Sequence, residues 1–381
     1  MIRIAFRAPP AHWQGGRNYL WNLLYALGQR ERGLQPVIIA RTEADVSEYT
    51  SLPGVDVIRP SRWSPGKATF YAGRATKYLL GIDVVERLEL SRARVQLYSH
   101  APPLGKRFGI PSLYWIPDVQ HRRLPHQFSR RERWQRDQEM RDAARTARIV
   151  IASSHAAKRD IIELVGDRVE SKLRVLQFVA QPRSPAPIAL ADLASRYPLP
   201  KRFLFLPNQW WKHKNHALVV DALAHASDVH VVVTGATTDY RHPEHHADVM
   251  LRARALGIAD RFVVLGAIPF VDMISLMAAS VAVVNPSLFE GWSTTVEESR
   301  TLGKRLVLSD IDVHREQAPP RARYFAPDDA RALADAMTAT WNESFGDDEL
   351  AAAQALTDLA RRTEAFAASY EAIVREALGA R

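Results

Sequence analysis

Three short runs, 149–153 (IVIAS), 231–235 (VVVTG) and 281–285 (VAVVN), limit most sharply what this chain can fold into. They are β-branched and continuously apolar, with none of the alternation of a strand that wets one face. Such strands must be covered on both sides, and a parallel sheet flanked by helices provides that cover. An α/β architecture follows.

The rest of the chain agrees. Strand-like segments at 2–6, 36–40, 55–59, 95–99, 112–116 and 148–152 alternate with amphipathic stretches. A proline-rich passage, QPRSPAPIALADLASRYPLPKR at 181–202, interrupts the pattern. Strands resume at 203–207, 229–234, 262–265, 281–285 and 305–308, so two α/β layers joined by a connector are expected. The end, 347–380, reads as one helix with Leu350, Leu356, Leu359, Phe366, Tyr370, Ile373 and Ala377 at helical spacing.

At 381 residues and 47% hydrophobic content the chain can bury two cores. It has no cysteine, hence no disulfide, thiolate nucleophile or cysteine-based metal site. No run of eighteen apolar residues occurs, and MIRIAFRAPPAHW at the start leads into a strand, so a cytoplasmic protein is expected. Charge is uneven: residues 1–180 hold 30 Lys and Arg against 17 Asp and Glu, net +13, and residues 181–381 hold 21 against 25, net −4. The basic front half should face something anionic.

Two stretches carry chemistry. Glu290-Gly291-Trp292-Ser293-Thr294-Thr295-Val296-Glu297-Glu298 follows the strand VAVVN and leads into a helix opening near Ser293. This order places backbone amides and a positive helix end at the carboxyl edge of a sheet, where phosphates bind. Glutamates near a helix start also simply complement its dipole. In the second stretch, Asn208-Gln-Trp-Trp-Lys212-His213-Lys214-Asn215-His216 follows another strand, and Asn215 is placed to cap the next helix. Lysines at a helix start are repelled by the dipole, and an anionic ligand would relieve that cost; Lys212 and His213 read as solvated.

The phrase FEGWSTTVEESRTLGKRLVLSDIDVHRE resembles the retaining, nucleotide-sugar-dependent glycosyltransferases of family 4, whose signature is a Glu, seven residues and a second Glu. Phe289, Glu290, Gly291, Trp292, Glu298, Gly303, Ser309, Asp310, Arg315 and Glu316 match; Ser293, Thr295 and Arg305 depart from the usual Gly, Pro and Pro. The resemblance implies a GT-B fold of two Rossmann-like domains facing across a cleft. An acceptor domain at 1–183, a donor domain at 184–360 and a last helix at 361–381 crossing back to the first domain are expected.

It also implies roles. Glu290 holds sugar hydroxyls, Glu298 the ribose, and Lys214 the donor diphosphate together with Gly291, Trp292, Ser293, Thr294 and Thr295. Asn208 stands where a second basic residue is usual. Gly15 and Gly16, between the first strand and a helix expected at 19–27, match the family's glycine-rich loop, beside Arg17. Gly235 lies near the donor, and Ile268 reaches the nucleobase through its backbone. Where relatives write His-Asp-Leu this chain has Pro117-Asp118-Val119, leaving Asp118 and His121 as catalytic candidates and His100 as a further one. Asp118 and His121 read equally as a turn-stabilising carboxylate and a surface imidazole.

The resemblance implies no cofactor and no metal; His242, His245 and His246 read as exposed histidines rather than ligands. Expected partners are a UDP-, GDP- or dTDP-sugar and a saccharide or polyprenyl-linked saccharide acceptor, as in O-antigen, lipopolysaccharide or exopolysaccharide synthesis. Basic segments 59–78 and 122–148, with Trp63, Phe70, Tyr71, Phe128 and Trp134, suit peripheral contact with an anionic membrane. No nucleic-acid module is present. The alternatives are a nucleotide-sugar epimerase on the same fold and a non-catalytic basic interaction protein.

Overall fold

The computed structural model describes the chain except residues 11–12, 31–32, 41–45, 60–67, 102–107, 184–186, 345 and 380–381, and the side chains of Arg74 and Tyr78. Trp63 and Tyr78 of the expected membrane segment therefore fall outside the described groups. Packing divides the chain into two units. The first comprises Met1–Arg122, Ser129–Val179 and Ala360–Arg381; the second comprises Arg123–Phe128 and Ala180–Leu359.

In the first unit, β1 (Ile2–Arg7), β2 (Leu34–Ile39), β3 (Asp56–Ile58) and β4 (Leu97–Ser99) form a parallel sheet in the order β3-β2-β1-β4. A second parallel group, β5 (Leu113–Ile116), β6 (Ile149–Ala152) and β7 (Leu173–Val175), continues it through one bridge between Tyr98 and Ser112. The strand order is thus 3-2-1-4 and onward, that of a doubly wound nucleotide-binding fold. The final helix, Asp348–Leu378, changes allegiance along its length: from Ala360 onward it belongs to the first unit. There buried Tyr370 packs on Phe6 at 6.0 Å, and Phe366 meets Tyr19 at 6.5 Å. Leu350 and Leu356 do not join the apolar stripe expected of this helix and are exposed.

The second unit repeats the plan. Strands β8 (Leu204–Leu206), β9 (Val231–Thr234), β10 (Phe262–Gly266), β11 (Val283–Asn285), β12 (Leu306–Ser309) and β13 (Ala322–Phe325) lie in the order β10-β9-β8-β11-β12-β13. Every pairing is parallel. Alternate residues feed two cores: Leu204, Leu206, Val231, Val233 and Val284 pack with Leu218 and Leu333 on one face, whereas Phe205, Val232, Val283 and Leu306 pack with Met277 and Val296 on the other. Continuous apolarity is the consequence of two covered faces, each buried Val or Leu contributing roughly 1.5–3 kcal/mol.

Strands β7 and β13 are not apparent in the sequence. Each is short and β13 (ARYF) mixes polar residues, because it is an edge strand with only one face fully covered. The first helix spans Gln14–Gly28, so Gly15 and Gly16 lie within its opening turn and not in a loop before a helix at 19–27.

Among the described residues no helix is long and apolar enough to cross a membrane. Exposed Trp134 and Tyr71 are available at the surface, but Phe128 is buried, with the Arg241 guanidinium 4.3 Å from its ring, and cannot serve as a membrane anchor.

Gly235, at the end of β9, has φ 122, and a Cβ there would come within 2.4 Å of the Asn208 carbonyl oxygen. Neither the backbone angle nor the collision can be relieved by rotating a side chain. Gly235→Ala is expected to lower stability by on the order of 3 kcal/mol, read as a shift of the urea midpoint; an unchanged midpoint would contradict this packing.

Candidate functional site

Strands β8 and β11 are neighbours whose following helices pack on opposite faces of the sheet, represented by Leu218 on one side and Val296 on the other. Their loops therefore diverge at the carboxyl edge, the place where doubly wound sheets bind ligands. A buried polar network fills the base of this divide. Asn285 Oδ1 accepts from Asn208 Nδ2 at 3.1 Å and from Ser287 Oγ at 2.7 Å, and Asn285 Nδ2 donates to Ser293 Oγ at 2.8 Å. Thr295 Oγ1 donates to Asn208 Oδ1 at 3.0 Å. Ser293 in turn caps the helix Thr294–Thr301, accepting from the Val296 amide at 3.4 Å, and the Gln317 amide brackets its backbone at 3.2 and 3.0 Å.

Above this floor Lys214 and Glu290 meet. The Lys214 ammonium lies 2.6 Å from Glu290 Oε1, with the two side chains 17% and 9% exposed. Burial pushes the Glu290 carboxyl up, but the Lys214 charge outweighs it and holds the acid below its usual range. The Leu288 amide donates to the His213 carbonyl at 2.8 Å, so two bonds couple the loops after β8 and β11. The amides of Thr294 and Thr295, in the helix's first turn, have no carbonyl four residues back. An ammonium group and the start of a helix thus lie at the same edge of the sheet, and helix starts are places where anions bind.

The comparisons can be set beside this geometry. Residues 200–343 match the family model of the glycosyl transferases group 1. Among solved structures, HepE from Anabaena in complex with UDP and glucose superposes with a TM-score of 0.71 at 17% identity, covering 99% of this chain and 100% of its own. A glycosyltransferase from Rickettsia africae gives 0.69 at 18%, covering 99% and 98%. WaaG, a glycosyltransferase involved in lipopolysaccharide biosynthesis, gives 0.58 at 12%, covering 99% and 98%. No curated protein matches the chain. Residues 200–343 thus carry a group 1 glycosyltransferase domain, and the chain has the GT-B fold.

Within the second unit, the predicted residues Asn208, Lys214, Gly235, Ile268, Glu290, Gly291, Trp292, Ser293, Thr294, Thr295 and Glu298 occupy loops and helix starts at one edge of the sheet. The side chains of Asn208, Ser293 and Thr295 are committed to the internal network. Glu298 is buried; burial pushes its carboxyl up to about 8, and Arg183 offsets only part of the rise. Asn215 does not cap the helix His216–Leu223: it adopts φ 60, a left-handed conformation that Asn tolerates, and donates to the Pro327 carbonyl at 3.0 Å. His213 is half-buried instead of solvated, and burial drives its imidazole down to about 3. His242, His245 and His246 are likewise half-buried instead of exposed, the last two with their rings against Trp210. Among the described residues no cluster of three ligating side chains could hold a metal.

The remaining candidates belong to the first unit. Asp118 accepts from the Gln120 amide at 3.0 Å, the local turn its sequence also allows. His121 is buried, not at the surface, and its Nε2 lies 2.9 Å from Asp137, which also binds Arg122. The space beside Gly16 is filled by the Trp13 ring, at 2.6 Å from a built Cβ. His100 has φ 55 and its Nδ1 lies 2.7 Å from Ser99 Oγ.

Sequence reasoning missed Asn285 and His314. Asn285 had a signal, a polar residue ending an apolar run. His314, in VHRE, is buried near Glu290, with Nδ1 2.9 Å from the Ser309 carbonyl, and burial pushes its imidazole below the ordinary range.

The raised Glu298 carboxyl gives a pH test. From about pH 4.5 to about 8 the folded protein retains this proton and the unfolded chain releases it, so the residue's contribution to stability falls as pH rises. Glu298→Gln should gain stability relative to the native protein across that window. Urea denaturation of both at pH 5 and pH 8 measures the difference, and a pH-independent difference would refute the assignment.

Proposed function

We propose that this glycosyltransferase moves a sugar from a nucleotide-diphospho-sugar to a saccharide or polyprenyl-linked saccharide, with retention of configuration, in cell-surface polysaccharide synthesis. The observation that carries it is the Lys214–Glu290 pair above the helix start at Thr294, where β8 and β11 diverge. UDP is the first nucleotide to test, because HepE was crystallised with UDP and glucose. O-antigen, lipopolysaccharide and exopolysaccharide are the acceptor classes, the second in line with the likeness to WaaG.

In this reading the C1–O bond to the diphosphate breaks as the acceptor oxygen bonds C1 on the same face. The acceptor proton passes to an oxygen of the departing phosphate. Negative charge grows on that phosphate, and Lys214 with the amides of Thr294 and Thr295 is already oriented to receive it without a metal ion. Lys214 exchanges Glu290 for the diphosphate, freeing the Glu290 carboxylate for sugar hydroxyls. Glu298 accepts from the ribose, and the backbone at Ile268 borders the base. The first unit receives the acceptor. A cytoplasmic protein touching an anionic membrane through exposed Tyr71, Leu79, Leu80 and Trp134 completes the proposal.

A panel of UDP-, GDP- and dTDP-sugars, read by thermal shift and by transfer, is the test. At least one donor should raise the melting temperature by mass action. Lys214→Ala should remove that shift and slow transfer by on the order of 10²-fold or more with the fold intact. Glu290→Gln should keep nucleotide binding but lose transfer. No shift with any donor would sink the reading, and product formed from donor alone would mark an epimerase.

A further inference from the structure

We infer that Arg241, on the loop after β9, is a second working cation of the second unit and holds the phosphate that bears the sugar. The inference rests on the function proposed above and adds a residue to it. Strand β9 pairs with β8, so the loops that follow them lie side by side at the carboxyl edge of the sheet. One buried carboxylate ties these loops together. Asp239 is 3% exposed; its Oδ1 accepts from the Arg241 amide at 2.9 Å and its Oδ2 from the Lys212 amide at 3.1 Å. The backbone of Arg241 is thereby hung beside the turn Lys212–Lys214, which carries the lysine of the ion pair.

The side chain is held as firmly as the backbone. Its guanidinium carbon lies 4.3 Å from the centroid of the Phe128 ring, 4.8 Å from that of Tyr240 and 5.4 Å from that of Trp211. These rings are themselves braced: Trp211 Nε1 donates to Gln209 Oε1 at 2.7 Å, and Trp211 meets Tyr240 edge to face at 5.6 Å and 86°. Aromatic rings attract a guanidinium through its faces, whereas its N–H groups radiate in its own plane. Stacking therefore fixes the position of the charge without using the directions along which oxyanions bind.

His213 shows where that charge acts. Burial pushes its imidazole down, Lys214 adds to the fall, Glu290 opposes it, and Arg241 lowers it further. Lys214, Glu290 and Arg241 thus act on one ring. In the donor reading Glu290 takes sugar hydroxyls, so the phosphate within reach of both cations is the one joined to C1. One ammonium is a poor match for that group, because a diphosphate is doubly charged and Lys214 must leave the Glu290 carboxylate to meet it. When the C1–O bond breaks, its electron pair stays on this phosphate, to which a planar guanidinium can offer two parallel N–H bonds. Lys212 is nearer in sequence but exposed, whereas Arg241 is half-buried, where salt screens a charge less.

Calorimetric titration with UDP, GDP and dTDP and with the three monophosphates tests this. At least one diphosphate should bind the native protein. Arg241→Gln should weaken that diphosphate roughly tenfold or more while binding the corresponding monophosphate as the native protein does. Arg241→Lys should recover part of the loss, and Lys212→Gln, which removes an exposed charge from the same turn, should bind like the native protein. Undiminished diphosphate affinity in Arg241→Gln, equal losses for mono- and diphosphate, or the same loss in Lys212→Gln would overturn the inference and leave the donor reading standing. Absence of binding by every diphosphate to the native protein would remove the donor reading itself, and the role of Arg241 with it.

Discussion

Asn285 sits where two parallel strands part, in a place water does not reach. A carboxamide buried there must be satisfied by protein, since an unpaired one would cost roughly 1–3 kcal/mol. Its partners come from the loops after β8 and β11 and from the cap of the next helix, so meeting that requirement also fixes the three pieces of chain that shape this edge of the sheet. Asn208 and Ser293, which depart from the family's usual residues, are explained by the same network. They supply the hydrogen bonds that hold the floor together.

On that floor the Lys214–Glu290 pair solves a second problem. Two ionisable groups mostly withdrawn from water are tolerable because each neutralises the other. In the proposed reading a diphosphate arriving at this edge would bring its own negative charge, so the lysine would change partners without being left uncompensated. The resting protein thereby keeps a strong cation ready in a low-dielectric setting. Glu298 shows the opposite solution, remaining neutral by keeping its proton.

Much of this was legible in the sequence. Continuous apolar runs announced parallel strands covered on both faces, and the spacing of Glu290 and Glu298 placed them at a helix start. Edge strands β7 and β13 were hidden because three or four residues with mixed polarity carry little periodic signal. Side-chain commitments were hidden more deeply. Nothing local in the sequence says that Asn215 reaches Pro327, that His121 is buried against Asp137, or that Phe128 lies under Arg241, because each partner is remote along the chain or set by tertiary packing.

The last helix bears on how the molecule is made. Phe6 and Tyr19 are made before any strand of the second unit, yet their packing partners Tyr370 and Phe366 are made after all of them. Vectorial synthesis therefore leaves the opening unit with an unfilled gap in its interior until the returning helix is made, by which point the strands β8 to β13 are all available to assemble. The usual order, in which the leading domain matures first, is reversed here by a single returning segment.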